Sequence, residues 1–372
     1  MQPDNQGTWS PDCLDVEVTT ACNLGCQYCY LGRPGSCHMG REIAGLIRAW
    51  AKRKAAAHRK VIINLYGGEP FLNWPMVQYL GTTPSAKVNI FTNGATAERD
   101  QIDWCRTNGI VPRRSTAGCP EAAALTRPGD YTQRWLSEGS RWLDTASTHR
   151  LVAIPETARH LRRSVSWLHQ EGYYGPVDIA TDNYATWGRS EAAIFDHEMH
   201  VLAREFVKQY KAGKILGIEN FANFGRAIYG QVGRMVLGCG AGWNTWGVTW
   251  DGRIVACHRC FREPPESALS GGRLCDILSG DRPSFGPDLV DQVAGWATAR
   301  EESECLKCKA RQCCPRGCLH LSSAVNGKPG ASVHSWCRFT RVYARLARWI
   351  ESELPDERWW EKRPTPCDSL LE

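Results

Sequence analysis

Cys22-Asn23-Leu24-Gly25-Cys26-Gln27-Tyr28-Cys29-Tyr30 follows directly on the β-branched run Leu14-Asp15-Val16-Glu17-Val18-Thr19. Apolar and charged residues alternate along that run, as in a strand with two unlike faces. The chain then enters a loop with three thiols spaced C-x3-C-x2-C. Three thiolates from one loop satisfy three irons of a four-iron cubane and leave one iron open to a ligand. The competing reading is a structural zinc ion, which needs four closed ligands and would recruit Cys37 or His38 as the fourth.

Outward from this loop, residues 13–212 alternate short β-branched runs with helical patterns, the signature of βαβ units on a parallel sheet. The strands are expected at 14–19, 61–66, 87–92, 111–116, 149–154 and 176–181. Helices are expected near 41–58, 95–108, 131–146, 156–171 and 190–212, with a weak stretch at 72–81 that Pro75 interrupts. The fold class is therefore α/β. Six strands with helical crossovers suit an open, partial (β/α)6 TIM-like barrel, whose chemistry would lie at the carboxyl ends of the strands. Beyond residue 213 glycines, tryptophans and turn dipeptides replace the alternation. Thr245 to Val255 reads as a β-hairpin turning at Asp251-Gly252, and Arg338 to Glu353 as a final helix. The expected division is a tail at 1–12, the barrel at 13–212, a connector at 213–238, a small cysteine-rich unit of hairpin, loops and helix at 239–353, and a tail at 354–372.

Two further loops close the next strands. Tyr66-Gly67-Gly68-Glu69-Pro70 brings glycines, which let backbone approach a ligand, beside a carboxylate that suits an ammonium ion. Phe91-Thr92-Asn93-Gly94 adds polar side chains on the same rim. Singly, Gly-Gly and Asn-Gly mean turns, but here all three loops fall at successive strand ends. The combination resembles the radical S-adenosylmethionine (SAM) superfamily. The resemblance implies that Cys22, Cys26 and Cys29 hold a [4Fe–4S] cluster whose fourth iron is chelated by SAM, that Gly67, Gly68, Glu69 and Pro70 contact the methionyl ammonium, and that Tyr28 touches adenine through its backbone. Thr92, Asn93 and Ser115 are matched to ribose or carboxylate contacts.

Cys239, Cys257, Cys305, Cys308, Cys314, Cys318 and Cys337 resemble the seven-cysteine SPASM pattern, which binds two auxiliary [4Fe–4S] clusters. By that likeness Cys239, Cys257 and Cys318 serve the first, and Cys305, Cys308, Cys314 and Cys337 the second, an iron–sulfur domain after the barrel. Two zinc sites are the alternative. Relatives with four protein ligands at the first cluster have a further cysteine about six residues upstream, where this chain has Gly233. Either that cluster keeps an open iron, or Cys260, Cys275 or Cys313 closes it.

Composition bounds the rest. In 372 residues with 42% hydrophobic and 23% charged, no run of eighteen apolar residues occurs, so no membrane helix is expected. Met1–Asp12 is polar and resembles no signal, and 18 cysteines in a long chain suit a reducing cytoplasm. The formal charge of +6 falls to about +2 once ten thiolates surround three clusters of charge 2+, so no nucleic-acid partner is expected. Lys52-Arg53-Lys54 reads as a solvated face of a helix whose other face is Ile43, Leu46, Ile47 and Trp50.

The resemblance implies reductive cleavage of SAM to a 5′-deoxyadenosyl radical that abstracts hydrogen from a peptide or protein side chain, giving a C–S or C–C cross-link or a dehydrogenation in ribosomal peptide maturation. Sulfatase-maturing members carry Asp after the cysteine matched to Cys257, and this chain has His258. His258, Asp182 and Glu219 are the acid/base candidates, each with a structural polar role as its alternative. A flavodoxin- or ferredoxin-type electron donor is implied. Because only Met1–Asp12 precede the first strand, the expectation is a separate leader-peptide recognition protein as partner, recognition of the peptide by the barrel itself, or a different substrate. A SPASM-type dehydrogenase of a sugar or other small alcohol is the alternative enzyme reading, and a non-catalytic metal-binding scaffold the alternative of another class.

Overall fold

The computed structural model describes residues 11–57, 61–127, 129–136, 148–230, 239–242, 244–279, 303–315, 317–327, 331–355 and 357–365. β1 (Cys13–Glu17) is buried at every position, because strands flank it on both sides. β2 (Ile62–Tyr66) pairs with it in parallel, Asp15 opposite Asn64, and β3 (Lys87–Thr92), β4 (Val111–Thr116), β5 (His149–Ala153) and β6 (Val177–Thr181) follow in parallel and in chain order. All six expected strands are present, within two residues at each end. Together with the crossover helices they form the partial barrel.

On its other edge β1 pairs in parallel with β7 (Thr245–Val248), which continues through antiparallel β8 (Arg253–Val255) and β9 (Ser270–Arg273). The hairpin of the cysteine-rich unit therefore extends the barrel sheet to nine strands. The last helix, His334–Glu353, packs at the opposite edge, where the Tyr343 hydroxyl donates to the carbonyl of Ile179 on β6 at 2.8 Å. The C-terminal region thus grips both edges of the sheet.

Two apolar clusters form the core. One joins β1–β3 to the helix Arg41–Ala56 through Leu14, Ile63, Ile90, Ile47 and Trp50, and takes in Trp246 and Ile254 from β7 and β8. The other joins β5 and β6 to the helix Arg189–Lys211 and the last helix through Leu151, Ile179, Phe195, Leu202, Phe339 and Leu346. Each such side chain, fully buried, contributes about 1.5–3 kcal/mol. No helix among the described residues is long and apolar enough to cross a membrane.

Several expectations are corrected. Pro75 starts a helix, Trp74–Gly81, rather than interrupting one, because its missing N–H falls in the first turn where none is needed. Lys54 is not solvated: its ammonium is buried and pairs with Asp12 at 3.1 Å, while Lys52 and Arg53 are exposed. The connector contains a helix, Glu219–Tyr229, and a short helix Pro120–Thr126 follows β4. The expected helix at 131–146 is seen at Tyr131–Leu136, and its remainder and Gly233 lie outside the described residues.

Candidate active site

The carboxyl ends of the six parallel strands open onto one cavity of about 220 Å³. Its wall takes Thr20 and Cys22 from the β1 exit, Gly67 and Gly68 from β2, Thr92 and Asn93 from β3, Ser115 from β4, Val152 from β5, and Thr181 and Asp182 from β6. Cys26, Tyr28 and Cys29 line it too, so the three thiols of the C-x3-C-x2-C loop face one space. Burial above all pushes Cys22 up to about 12, with the charges of Glu69, Cys26 and Cys29 adding to it, and burial raises Cys26 as well. Three thiols lining one space are the donors that a four-iron cluster with one open iron would use, each losing its proton as the cluster binds.

The zinc alternative finds less support. Cys37 and His38 do not line this cavity. They are tied to the β1 exit, where Thr20 Oγ1 accepts from the Cys37 amide at 2.9 Å and His38 Nδ1 bonds Thr19 Oγ1 at 3.0 Å.

The glycine loop is shaped by the cysteine loop. A Cβ at Gly67 would sit 2.3 Å from the Thr19 carbonyl oxygen, and one at Gly68 would sit 2.2 Å from that of Ala21 and 2.8 Å from Cys22 Cβ. The Gly68 and Glu69 amides donate to the Thr19 and Ala21 carbonyls at 2.9 and 2.8 Å. Those amides are consumed in binding the two loops together, leaving the glycine carbonyls for a ligand. Neither Glu69 nor Pro70 lines the cavity. The Glu69 carboxylate is fully buried and accepts from Phe71 N at 3.2 Å, Thr92 Oγ1 at 2.8 Å and Asn93 N at 2.8 Å. Burial outweighs these donors and pushes it up to about 7. Glu69 thus knits the β2 and β3 exits, and Asn93 passes the constraint on by donating to Asn23 Oδ1, inside the cysteine loop, at 2.8 Å.

Arg127 was not legible in the sequence. It follows the unforeseen helix Pro120–Thr126, lies 95% buried and lines the cavity. Its guanidinium donates to the Tyr28 hydroxyl at 3.0 Å and Ser115 Oγ at 2.6 Å and lies 4.3 Å from the Tyr131 ring centroid. The neighbouring phenols and the Cys26 thiol hold its pKa above the ordinary value despite burial. Among the described residues its side-chain hydrogen bonds go to the Tyr28 hydroxyl and to Ser115 oxygens, with the Glu69 carboxyl within electrostatic reach.

A polar ladder crosses the barrel interior in register. Asn89 donates to Asn64 Oδ1 at 2.8 Å, Asn64 donates to Asp15 Oδ1 at 2.8 Å, and Asp15 Oδ2 holds His258 Nδ1 at 2.7 Å. The His258 ring also stacks on Tyr66 at 4.5 Å, which stacks on Phe91 at 4.1 Å. One turn on, Arg262 pairs with the fully buried Glu17 at 2.6 Å. The alternating carboxylates of β1 therefore dock the turn after Cys257 onto the barrel, and that alternation was the signal for it. His258 and Asp182 line the cavity, whereas Glu219, at the start of its helix, does not.

Of the remaining cysteines, Cys239, Cys257 and Cys318 lie within electrostatic reach of one another: after burial, the charge of Cys257 raises both Cys239 and Cys318. Cys305 and Cys308 flank a turn in which the Cys308 amide donates to Cys305 O at 3.2 Å. Ala310 and Cys313, just beyond, pack on Ala344 of the last helix, two turns from Cys337. Cys305, Cys308, Cys314 and Cys337 are all half-buried.

No protein-family model and no curated relative matches the sequence. Among solved structures, native anSMEcpe with bound AdoMet superposes with a TM-score of 0.71 at 16% identity, over 91% of this chain and 99% of that one. Streptococcus suis SuiB bound to S-adenosylmethionine gives 0.55 at 15% identity, over 88% and 77%. The chain shares their fold.

Proposed function

We propose that this chain is a radical SAM enzyme of the SPASM type that oxidatively modifies a peptide or protein side chain. The observation that carries the reading is the convergence of three cysteines and the exits of six parallel strands on one cavity. Both structural neighbours bind AdoMet, and both are recorded with peptides, anSMEcpe with Cp18Cys and SuiB with its precursor SuiA. A cluster held by Cys22, Cys26 and Cys29 would supply reductive cleavage of SAM to a hydrogen-abstracting radical.

The chain's own residues then have defined tasks. The carbonyls of Gly67 and Gly68 accept the methionyl ammonium, and Arg127, fixed by Ser115 and Tyr28, meets the methionyl carboxylate. Thr92 and Asn93, clamped by Glu69, keep the wall from shifting as SAM enters. His258 lines the cavity with Nδ1 2.7 Å from Asp15 Oδ2; in the tautomer that donates this bond, Nε2 would be the acceptor for a substrate proton. Cys239, Cys257 and Cys318, and Cys305, Cys308, Cys314 and Cys337, would hold the two auxiliary clusters, which when bound would supply an acceptor for one electron. A flavodoxin- or ferredoxin-type donor supplies the first electron.

The test is anaerobic reconstitution followed by dithionite and SAM. The reading predicts methionine and 5′-deoxyadenosine in equal amounts, abolished in Cys26→Ala, and deuterium carried from a labelled peptide into 5′-deoxyadenosine. Cleavage with transfer from labelled sugars and none from peptides would favour the small-alcohol dehydrogenase. No cleavage in iron-loaded protein would refute the enzyme reading.

A further inference from the structure

The turn that β1 docks on the barrel carries one thiol outside the seven-cysteine pattern. Cys260 is wholly buried, its amide donates to the Cys257 carbonyl at 2.9 Å, and its sulfur lies 3.7 Å from that of Cys257. The segments of Cys239 and Cys318 are held beside the same turn, where the Gly242 amide donates to the Ala256 carbonyl at 2.8 Å and His320 Nε2 meets Glu263 Oε1 at 3.3 Å. The other unmatched thiols that could close the set stand apart: Cys275 is exposed beside Asp276, and Cys313 is buried against Ala310 and Ala344 next to Cys308, a ligand assigned to the second auxiliary cluster.

We propose that Cys260 is the fourth protein ligand of the first auxiliary cluster, completing Cys239, Cys257 and Cys318 in place of the upstream cysteine that is Gly233 here. The inference rests on the cluster reading above. C-x2-C across a tight turn is a spacing with which one loop reaches two corners of a cubane. Cys260 packs in the apolar core as a small hydrophobe would, but its sulfur also faces that of Cys257 at 3.7 Å, so the turn presents two thiols side by side. Each thiol would lose its proton to solvent as its Fe–S bond forms, with no change in the electron count of the cluster. A cluster closed in this way has no iron free for substrate and can only pass electrons.

The experiment uses the full chain with Cys22, Cys26 and Cys29 changed to Ala, so that only the auxiliary clusters load. After reconstitution it should hold about eight irons, and its reduced electron paramagnetic resonance (EPR) spectrum should not move when imidazole is added. Adding Cys260→Ala should release about one iron, with the spectrum of a three-iron cluster on oxidation, or give a spectrum that imidazole shifts. Cys260→Ser, which offers an oxygen ligand of similar size, should keep the irons with altered g values. Cys275→Ala should change nothing. The proposal is overturned if imidazole already shifts the parent spectrum, if Cys260→Ala and Cys260→Ser both keep the parental iron count and spectrum, or if Cys313→Ala opens the cluster instead. Should Cys260→Ala fail to fold by circular dichroism, the parent's response to imidazole and the Ser variant decide. SAM cleavage by the unmodified chain is measured separately, so either idea can fail without the other.

Discussion

At Gly68 the β2 exit passes so close to the cysteine loop that a single methyl group would overlap the Ala21 carbonyl oxygen and press on Cys22 Cβ. Backbone on both sides is hydrogen-bonded, so neither can withdraw. Gly68→Ala is therefore expected to destabilise the chain by at least about 2 kcal/mol and to lower iron loading of the N-terminal site, read by chemical denaturation and iron counting. A fully loaded, equally stable variant would show that the glycines serve the ligand alone. Arg127 makes a second prediction. Charge-assisted bonds to a carboxylate contribute about 1.5–3 kcal/mol, so Arg127→Gln should weaken SAM binding by roughly tenfold to a hundredfold, and Arg127→Lys should recover part of the loss in a calorimetric titration. Unchanged affinity would remove Arg127 from the SAM site. The two residues differ in legibility. Gly67-Gly68 announces itself through its place after a strand, although its crowding by Thr19 and Ala21 depends on register and appears only in three dimensions. Arg127 has no motif around it, and its position depends on burial beside Tyr28 and Ser115.

Among the elements, the six barrel strands were legible because β-branched runs between helical patterns admit few other arrangements. The helix Glu219–Tyr229 was not, although Phe221, Phe224 and Ile228 recur at helical spacing. Gly225 masked it, and the structure shows why glycine is there: a Cβ would sit 2.4 Å from Trp359, which packs across the helix. That helix finishes the barrel. Asn220 accepts from Ile179 N at 2.8 Å and donates to Ile179 O at 3.1 Å, so its amide takes the place of a seventh strand beside β6. Asn220→Ala leaves the buried Ile179 amide without that partner, while the carbonyl keeps the Tyr343 hydroxyl, and should cost about 1–3 kcal/mol in urea denaturation, whereas an exposed change on the same helix should cost little. A neutral result would mean that the sheet edge is satisfied by other groups. Pro75 teaches the complementary lesson: the same residue breaks a helix interior and opens a first turn, and only the position of the preceding 3₁₀ turn, Pro70–Asn73, decides between them.

Over the whole molecule, stability should depend on acid in a defined direction. His149 and His169 are buried, neither ring nitrogen of either has a hydrogen-bond partner among the described residues, and Arg114 adds its charge beside His149. Burial first, then Arg114 and His169, lowers His149 to about 3, and burial lowers His169 to about 4. Both bind protons more readily when unfolded, so their contribution is lost as the pH falls below 6.5 toward those values. Glu69, raised to about 7, contributes in the opposite sense over part of the same range. The two histidines should therefore withdraw denaturation free energy between pH 6.5 and 4 against it, and His149→Phe should remove the share of that loss that His149 carries. An unchanged slope would place the acid sensitivity elsewhere. At this scale the hairpin of the cysteine-rich unit continues the barrel sheet to nine strands. The pairing of β7 with β1 is long-range and leaves no trace in local pattern, while the charges of β1 that receive His258 and Arg262 were visible and unassigned. The central claim is that the cavity at the strand exits presents a cluster with one iron open to SAM. The most direct measurement is the EPR spectrum of the reduced, reconstituted chain with and without SAM. A shift in the N-terminal cluster's g values on adding SAM, absent when Cys22, Cys26 and Cys29 are all Ala, is predicted. A fully loaded N-terminal cluster whose spectrum SAM leaves unmoved would contradict the account.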